Sequence, residues 1–342
     1  MAESKYNLRY IGPGEYHLWD QFVLDHPNGT LFHSTTWGDL IRSIFNRPFF
    51  ICAVFNKNEL DGGLLFWPKK SAIIDSIPLT PVTTYQGILI KEPDSAKRSK
   101  VIAQEEEITG LILDELKSKY GYIELSLMRH IQDLRPYTWK GFTATPAYTY
   151  CFPIKPLESL KTNFSQALRR KINVSEKEDH FIKESDDPEF IVRFIVESYS
   201  FHKIAPPVSA VQIEKIIQLA LKKNFGKLYY LYIDNKPVGG IFLLFDNKRV
   251  FALFSGIDRT ARSENYTEYM HASVLGHKEF TGKEFDFLGA NTKDFEQFKR
   301  SFGGELKTYY RVRYLKNNWI ALLLKLREKQ HLWNRRLPGT SK

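Results

Sequence analysis

Cysteine is scarce in this chain, and its placement argues against a common class of metal site. The two cysteines, Cys52 and Cys151, lie in separate apolar runs without metal-ligand spacing to each other or to a histidine pair. The nine histidines are scattered, and His271 and His277 do not share a helix face, so we interpret them as surface or packed residues. We therefore expect no metal site and a reducing, cytoplasmic environment.

Long hydrophobic runs are also missing. Apolar runs such as Val238–Phe245 and Trp319–Leu324 fall far short of the roughly 20 residues that a membrane span requires. The first residues, MAESKYNLRYIGPGEYHLWD, have no basic region followed by an apolar stretch, so we expect no secretory signal. A length of 342 residues with 43% hydrophobic and 14% aromatic content predicts a well-packed soluble protein of two domains.

The usual catalytic signatures are absent as well. The sequence contains neither GxGxxG nor GxxxxGK[ST], so it carries no Rossmann or Walker phosphate-binding signature. It also lacks a GxSxG nucleophile elbow and an HExxH zinc motif. Any chemistry must be sought in less familiar patterns.

Charge is present in excess and is unevenly divided. The net charge is +10, and residues 151–342 carry 33 Lys+Arg against 22 Asp+Glu, whereas residues 1–150 carry 16 against 17. A basic second half suits a polyanionic partner: nucleic acid, nucleotide phosphates or an anionic membrane surface. The alternative, in which lysines only solubilise helix faces, stays open.

Hydrophobic periodicity predicts a mixed α/β chain whose second half repeats the plan of the first. We predict a first domain at 1–153, a second at 154–315 and a basic helix at 316–342, with seven Lys+Arg against one Glu. We expect this helix to pack on the first domain, with contact to a membrane surface as the alternative. The predicted helices cover 15–45 in pieces, 95–120, 157–173, 187–200, 209–224, 265–280 and 294–302; the predicted strands cover 49–56, 62–69, 85–90, 122–127, 148–154, 180–183, 227–233, 237–245, 249–257, 285–287 and 306–314.

The stretch FEQFKRSFGG, residues 295–304, places Lys299 beside a stripe of phenylalanines. The spacings of three and four residues predict one helix face, which ends at Gly303-Gly304. A lysine at the margin of such a face either extends its ammonium to water or directs it into a cleft.

The surrounding sequence resembles the Fem family of peptidoglycan aminoacyltransferases and the related BioF2-like acetyltransferases, which are built on the GNAT acyltransferase fold. The resemblance lies in a short strand, Phe285–Phe287, then Leu288-Gly289, a polar loop, and a helix with Phe298-Lys299 and Phe302-Gly303. Weaker similarities upstream are Phe32-His33-Ser34 through Trp37, and Leu168-Arg169-Arg170-Lys171-Ile172.

The resemblance implies two tandem GNAT-like domains, mixed sheets flanked by helices, and transfer of an activated acyl group to an amine. It assigns Lys299 to charge stabilisation, where one preorganised cation beside a developing oxyanion is worth about 3–4 kcal/mol. Asp286, on the preceding strand, is our second catalytic candidate, either orienting Lys299 or acting as a base.

Departures from the family favour an acyl-CoA donor over aminoacyl-tRNA. Gly38 and Asp39 stand where a muramyl-peptide enzyme has a lysine after its tryptophan, and Leu79-Thr80-Pro81 replaces an Arg-Gly-Pro run. The long coiled-coil arm of FemA-like enzymes is also missing. We therefore expect transfer of an acetyl or other acyl group to an amino sugar or related cell-envelope precursor. A tRNA-dependent aminoacyltransferase and a non-catalytic binding protein are the alternatives.

The segment Asp258–Arg262 occupies the place of the GNAT pyrophosphate loop. We assign Arg259 and Arg262, with Ser255 and Gly256 before them, to the acyl-CoA, since arginines and a helix N-terminus can meet phosphates there. Solvation of a loop is the alternative role for these arginines.

Six further side chains are our candidates for contact with the acceptor. We expect a small-molecule amine or a sugar-nucleotide acceptor, with tRNA and the membrane surface as open further partners and no DNA. Aromatic members of the set can stack on a ligand or belong to the core. The candidates are Trp37, Tyr85, Gln86, Tyr266, Tyr269 and Asn291.

Overall fold

A computed structural model describes residues 5–93, 97–261 and 265–317. The strands are β1 (Tyr6–Ile11), β2 (Phe50–Asn56), β3 (Glu59–Phe66), β4 (Ser76–Ile77), β5 (Leu89–Ile90), β6 (Tyr122–Ser126), β7 (Thr143–Pro153), β8 (His180–Ser185), β9 (Gly226–Ile233), β10 (Lys236–Phe245), β11 (Arg249–Ile257), β12 (Glu284–Asp286) and β13 (Glu305–Leu315). The helices are α1 (Tyr16–Asp25), α2 (Thr35–Phe45), α3 (Arg98–Lys119), α4 (Arg135–Trp139), α5 (Leu157–Lys161), α6 (Gln166–Ser175), α7 (Glu189–Phe201), α8 (Ala210–Lys222), α9 (Tyr266–Leu275) and α10 (Lys293–Arg300). The predicted α/β class with mixed sheets is confirmed.

Short polar residues begin several of these helices. Ser34 caps α2 by accepting a hydrogen bond from the Trp37 amide, and Ser165 caps α6 in the same way through Leu168. Ser209 and Gln212 form a capping box at α8. The same helices bury their apolar stripes in the core, so local caps and periodicity together fix these elements.

The strands form a four-stranded sheet, β1-β2-β3-β5, and a nine-stranded sheet, β4-β6-β13-β7-β12-β11-β10-β9-β8. The larger sheet joins both halves of the chain, because β13 lies between β6 and β7 and pairs with both. The predicted boundary at residue 153 falls at the end of β7, inside this continuous sheet. The division into two domains stays a prediction.

Three predicted elements are shorter than expected. The helix at 157–173 is wrong as a single element: α5 ends at Lys161, and Ser165 caps a separate α6. The helix at 265–280 ends at Leu275, because the chain becomes extended at His277 (ψ of 132°) before a separate 3₁₀ turn at Lys278–Phe280. The strand at 85–90 contracts to β5 because Gln86 forms only an isolated bridge, to Ser126.

The structure bears on the predicted C-terminal helix and on membrane-spanning helices only within the described residues. The basic helix at 316–342 lies outside the described residues except for its first two positions. No helix within the described ranges has the length and apolar character of a membrane span.

The two strands β11 and β12 run parallel but stay together only briefly. They pair over three positions, from Arg249 with Glu284 to Phe251 with Asp286, and β11 then continues to Ile257 paired with β10 but not with β12. The chain leaves β12 at Phe287 and follows β7 instead, through hydrogen bonds to Tyr150 and Tyr148. The strands therefore diverge at their carboxyl ends, where ligands of open α/β sheets commonly bind.

Candidate active site

Asp286 closes β12 and is the most strongly held carboxylate at this divergence. Its side chain is fully buried and accepts hydrogen bonds from Tyr85 Oη (2.6 Å), Thr149 Oγ1 (2.7 Å) and the Leu288 amide (2.8 Å). Tyr85 and Thr149 come from the first half of the chain, whereas Asp286 and Leu288 come from the second. With its oxygens engaged in this way, Asp286 is better suited to positioning its neighbours than to acting as a base.

Arg129 supplies a positive charge to this carboxylate. Its Nε lies 3.7 Å from Asp286 Oδ2, and its guanidinium also donates to Glu284 and to Cys151 Sγ. Burial disfavours the charged form, but Asp286 and Glu284 together raise the pKa of Arg129. Burial, followed by the charge of Asp286, raises the pKa of Tyr85 far above its ordinary value, so this tyrosine remains a proton donor.

Lys299 lies in the last turn of α10 and contacts the residues that follow Asp286. Its Nζ donates to the carbonyl oxygens of Phe287 (2.8 Å) and Gly289 (2.5 Å). Burial lowers the pKa of Lys299 to about 8, while the nearby charge of Asp286 acts in the opposite direction. An ammonium carries three N–H groups, of which two are used by these carbonyls, and Nζ also lies 5.7 Å from the centroid of the Phe287 ring. The ammonium is directed inward, which does not agree with extension into bulk water.

The loop that Lys299 holds has unusual backbone geometry. Leu288 and Gly289 both have positive φ, at 53° and 111°, and Val82 from the first half has φ of 56°. Positive φ is uncommon for leucine and an outlier for a β-branched residue, and such geometry concentrates at functional sites.

Leu288 and Val82 face the same cavity, which has a volume of about 210 Å³. Thr80, one of its lining residues, is 3% exposed, and its Oγ1 has no hydrogen-bond partner within the described part of the chain. Hydroxyl groups, one side-chain amide and one guanidinium make most of the wall polar. The lining residues are Leu79, Thr80, Val82, Thr83, Thr84, Ser126, Leu288, Asn291, Tyr309 and Arg311.

Four of the predicted acceptor residues lie at or near this cavity. Asn291 lines it, and its Oδ1 accepts a hydrogen bond from the Tyr148 amide at 2.9 Å. Trp37 donates its indole N–H to Thr83 Oγ1 at 2.9 Å, and Tyr85 packs edge-on against Tyr309, so both support lining residues. Gln86 is only 1% exposed, and its side-chain amide finds no partner among the residues that are described.

The structure does not bring the other two predicted acceptor residues to the cavity. Tyr266 and Tyr269 lie on α9 and pack against His180, with ring centroids 5.7 and 4.2 Å away. His180 begins β8, the last strand of the nine-stranded sheet. Their proposed contact with the acceptor stays a prediction that this placement does not favour.

The predicted donor residues lie where β11 has left β12. A register shift against β10 leaves Leu253 without a pairing partner, as in a β-bulge. Gly256 packs against α7 so closely that an added Cβ would lie 2.4 Å from the carbonyl carbon of Phe194. Ser255 is half-buried and Arg259 is exposed. Arg262 lies outside the described residues.

Sequence reasoning missed Arg129, Thr149 and Arg311. Arg129 follows β6, Thr149 lies in β7 and Arg311 lies in β13. These three segments meet only because β13 is inserted between β6 and β7. The one local signal was a charged residue, Arg129, directly after the apolar run of β6. Within the described ranges no cluster of three or more His, Cys, Asp or Glu side chains is arranged to hold a metal.

Comparison with known proteins agrees with this fold. The sequence model of the family described as "Acetyltransferase (GNAT) domain" matches residues 162–300, a range that includes both Asp286 and Lys299. No curated protein matches the chain.

Several solved structures share the architecture at low sequence identity. FemX superposes with a TM-score of 0.68 at 14% identity, covering 93% of this chain and 99% of FemX. L-PGS from Bacillus licheniformis gives 0.53 at 12% identity, covering 90% and 92%. A tandem GNAT protein from the clavulanic acid biosynthesis pathway gives 0.50 at 9% identity, covering 91% and 99%. Residues 162–300 are therefore similar to a GNAT acetyltransferase domain, and the chain as a whole shares its fold with FemX, L-PGS and the tandem GNAT protein.

Proposed function

We propose that the protein is an N-acyltransferase that moves an acyl group, acetyl in the first instance, from an acyl-CoA to an amine. The observation that carries this proposal is the position of Lys299. Its ammonium is bonded to the carbonyls of Phe287 and Gly289, in a loop whose Leu288 and Asn291 line the cavity, and it lies within the region that matches the GNAT domain.

The chemistry required is attack of the acceptor nitrogen on the thioester carbonyl. A C–N bond forms, the C–S bond breaks, the amine loses a proton and the thiol of CoA leaves. The third N–H of Lys299 can stabilise the negative oxygen that develops, in a site where a preorganised charge is most effective. Asp286 and Arg129 then act as positioning residues, because they fix the strand from which the lysine-bound loop begins.

The donor would bind where β11 diverges from β12. The unpaired backbone at Leu253 and the exposed Arg259 are the groups of the described chain best placed for the thioester and the phosphates. The N-terminus of α9 follows shortly after Arg259, and the dipole of a helix favours anionic groups at this end. We assign Gly256 to packing against α7 rather than to phosphate contact.

For the acceptor we propose an amino sugar or related cell-envelope precursor. The cavity supports this choice because three threonines and one serine line it, and hydroxyl and amide groups suit a hydroxylated ligand. The Fem-like fold adds support at the level of architecture alone.

A direct assay tests the reaction. Purified protein with acetyl-CoA is mixed with a panel of amines, including glucosamine, glucosamine 6-phosphate and UDP-glucosamine, and both thiol release and product mass are recorded. We expect acetylated product with at least one amine and a loss of about 10²–10³-fold in kcat for Lys299→Met. Equal rates for the two proteins, after subtraction of non-enzymatic acetylation, would contradict the role of Lys299.

A second candidate, aminoacyl transfer from tRNA, has one specific observation in its favour. On α6, Leu168 and Ile172 are buried, whereas Arg169, Arg170 and Lys171 are exposed on one turn. RNA binding through such groups would weaken steeply with salt, by roughly one power of salt concentration per phosphate contact. A thermal-shift series with bulk tRNA and with acetyl-CoA at increasing salt separates the two donors.

The remaining alternative is a protein that binds its ligand without catalysis. In that case Lys299→Met would leave ligand binding unchanged, and neither the natural protein nor the variant would turn over substrate.

A further inference from the structure

The single charged residue among those that line the cavity is Arg311, on β13. Its side chain is exposed, and no carboxylate in the described residues lies within 4.0 Å of it. Two residues along the same strand, Arg313 faces the same way but is paired with Glu124 at 3.1 Å. Arg313 is thus neutralised by a carboxylate, whereas Arg311 lines the cavity with no carboxylate of the described residues beside it.

The remaining polar groups of the cavity differ in what they can still bind. Thr83 Oγ1 is engaged by Trp37, and Ser126 Oγ donates to the Thr84 carbonyl at 2.5 Å. Asn291 uses Oδ1 for the Tyr148 amide, so its NH₂ group stays available to donate. The buried Thr80 hydroxyl has no partner in the described chain. Arg311 and Asn291 both offer N–H donors, so the cavity is set up for a ligand rich in acceptor oxygens.

We propose that the acceptor carries an anionic group, a carboxylate or a phosphate, and that Arg311 binds this group and determines specificity. The planar guanidinium forms paired hydrogen bonds with either anion, and such charge-assisted bonds are stronger than neutral ones. Thr80 and Asn291 would contact the uncharged polar part of the same molecule. This inference rests on the proposed function, since it names the class of acceptor that the acyltransferase uses.

Binding without an acyl donor tests the inference separately from the reaction. Matched probe pairs are glucosamine 6-phosphate with glucosamine, and alanine with alaninamide; each pair shares an amine and differs in the anion. Calorimetric titration of the full chain should show that at least one anionic member binds ten times or more tightly than its neutral counterpart. The pair that shows the preference identifies phosphate or carboxylate as the group that is bound.

Variants connect the preference to Arg311. Arg311→Gln should abolish the preference, Arg311→Lys should retain part of it, and Arg313→Gln, a control on the same strand face, should retain it in full. The absence of an anion preference in the natural chain, or a preference that survives in Arg311→Gln, would overturn the inference. An Arg311-dependent preference without any acetyl transfer would refute the proposed function while leaving the anion site established.

Discussion

Lys299 and Gly289 are joined by a hydrogen bond of 2.5 Å from the ammonium to the backbone carbonyl. This bond links α10 to a loop whose left-handed residues, Leu288 and Gly289, would not be expected to keep their conformation without support. The same loop lines the cavity through Leu288 and Asn291. Lys299 therefore holds part of the cavity wall, and we propose that its charge has a second duty in stabilising the oxyanion.

The two duties predict different results for two substitutions. Lys299→Met removes the charge and leaves two carbonyls without their donor, so kcat should fall about 10²–10³-fold and stability by about 1–3 kcal/mol. Lys299→Arg keeps the charge with altered geometry, so it should recover part of the activity. Steady-state kinetics and urea unfolding measure both effects. A Lys299→Met protein with unchanged kcat would contradict the catalytic duty, and one with unchanged stability would contradict the structural duty.

The pH dependence of the reaction gives an independent check on the charge of Lys299. Burial lowers the pKa of Lys299 to about 8, and the protonated form is the one that can stabilise an oxyanion. As the pH rises through this value the ammonium loses its proton, so kcat should fall on the alkaline side of about pH 8. Arginine stays protonated throughout this range, so the alkaline fall should be absent in Lys299→Arg. The same fall in both proteins would assign it to another group.

The buried carboxylate of Asp286 predicts a set of coupled effects. Tyr85→Phe and Thr149→Val each remove one donor to this carboxylate, and each should destabilise the protein by about 1–3 kcal/mol. Because both donors share one acceptor, the double variant should depart from additivity. Chemical unfolding of the single and double variants measures the coupling. Tyr148→Phe, in a tyrosine on the same strand that is 37% exposed, is the control and should stay within about 0.5 kcal/mol of the natural chain.

The success and failure of sequence reasoning have clear physical reasons. The spacing of Phe295, Phe298 and Phe302 predicts α10 and puts Lys299 at its margin, since a helix face depends on neighbours three and four residues away. The pair Gly303-Gly304 predicts the helix stop, and Gly303 indeed has φ of 70°. These features are local, so the sequence alone was enough to find them.

The environment of Asp286 depends instead on contacts across the whole chain. Tyr85 is 201 residues from its hydrogen-bond partner Asp286, and Thr149 is 137 residues away. These contacts follow from the insertion of β13 between β6 and β7, which no local pattern indicates. The positive φ of Val82 could not be predicted from the sequence either, because β-branched residues rarely adopt this conformation. The sequence thus located Lys299 and the loop to which it is bonded, but not the cavity that this loop lines.

Two buried histidines predict a loss of stability in acid. Burial lowers the pKa of His33 to about 3 and that of His271 to about 4, whereas an unfolded histidine titrates near 6.5. Between these values the unfolded chain binds more protons, so stability falls as the pH decreases from about 6.5 to about 4. Each histidine contributes up to about 1.4 kcal/mol per pH unit. His271→Phe keeps a ring against Phe298 and should reduce this slope by about one proton, as measured by urea unfolding across the range. An unchanged slope would show that His271 is protonated in the folded protein.

Substitution of Gly256 distinguishes a role in packing from a role in binding the acyl donor. An added Cβ would lie 2.4 Å from the carbonyl carbon of Phe194 and 2.6 Å from the amide nitrogen of Ile195, so α7 would have to move away from β11. Backbone atoms yield poorly, and Gly256→Ala should therefore cost about 1–3 kcal/mol of stability or more. Ser255→Ala, at the neighbouring position, should change stability by less than about 0.5 kcal/mol. Thermal melting of both variants, with acetyl-CoA affinity measured on whichever remains folded, compares the two roles. If Gly256→Ala has full stability but binds acetyl-CoA more weakly, Gly256 would have to be assigned to donor binding and not to packing.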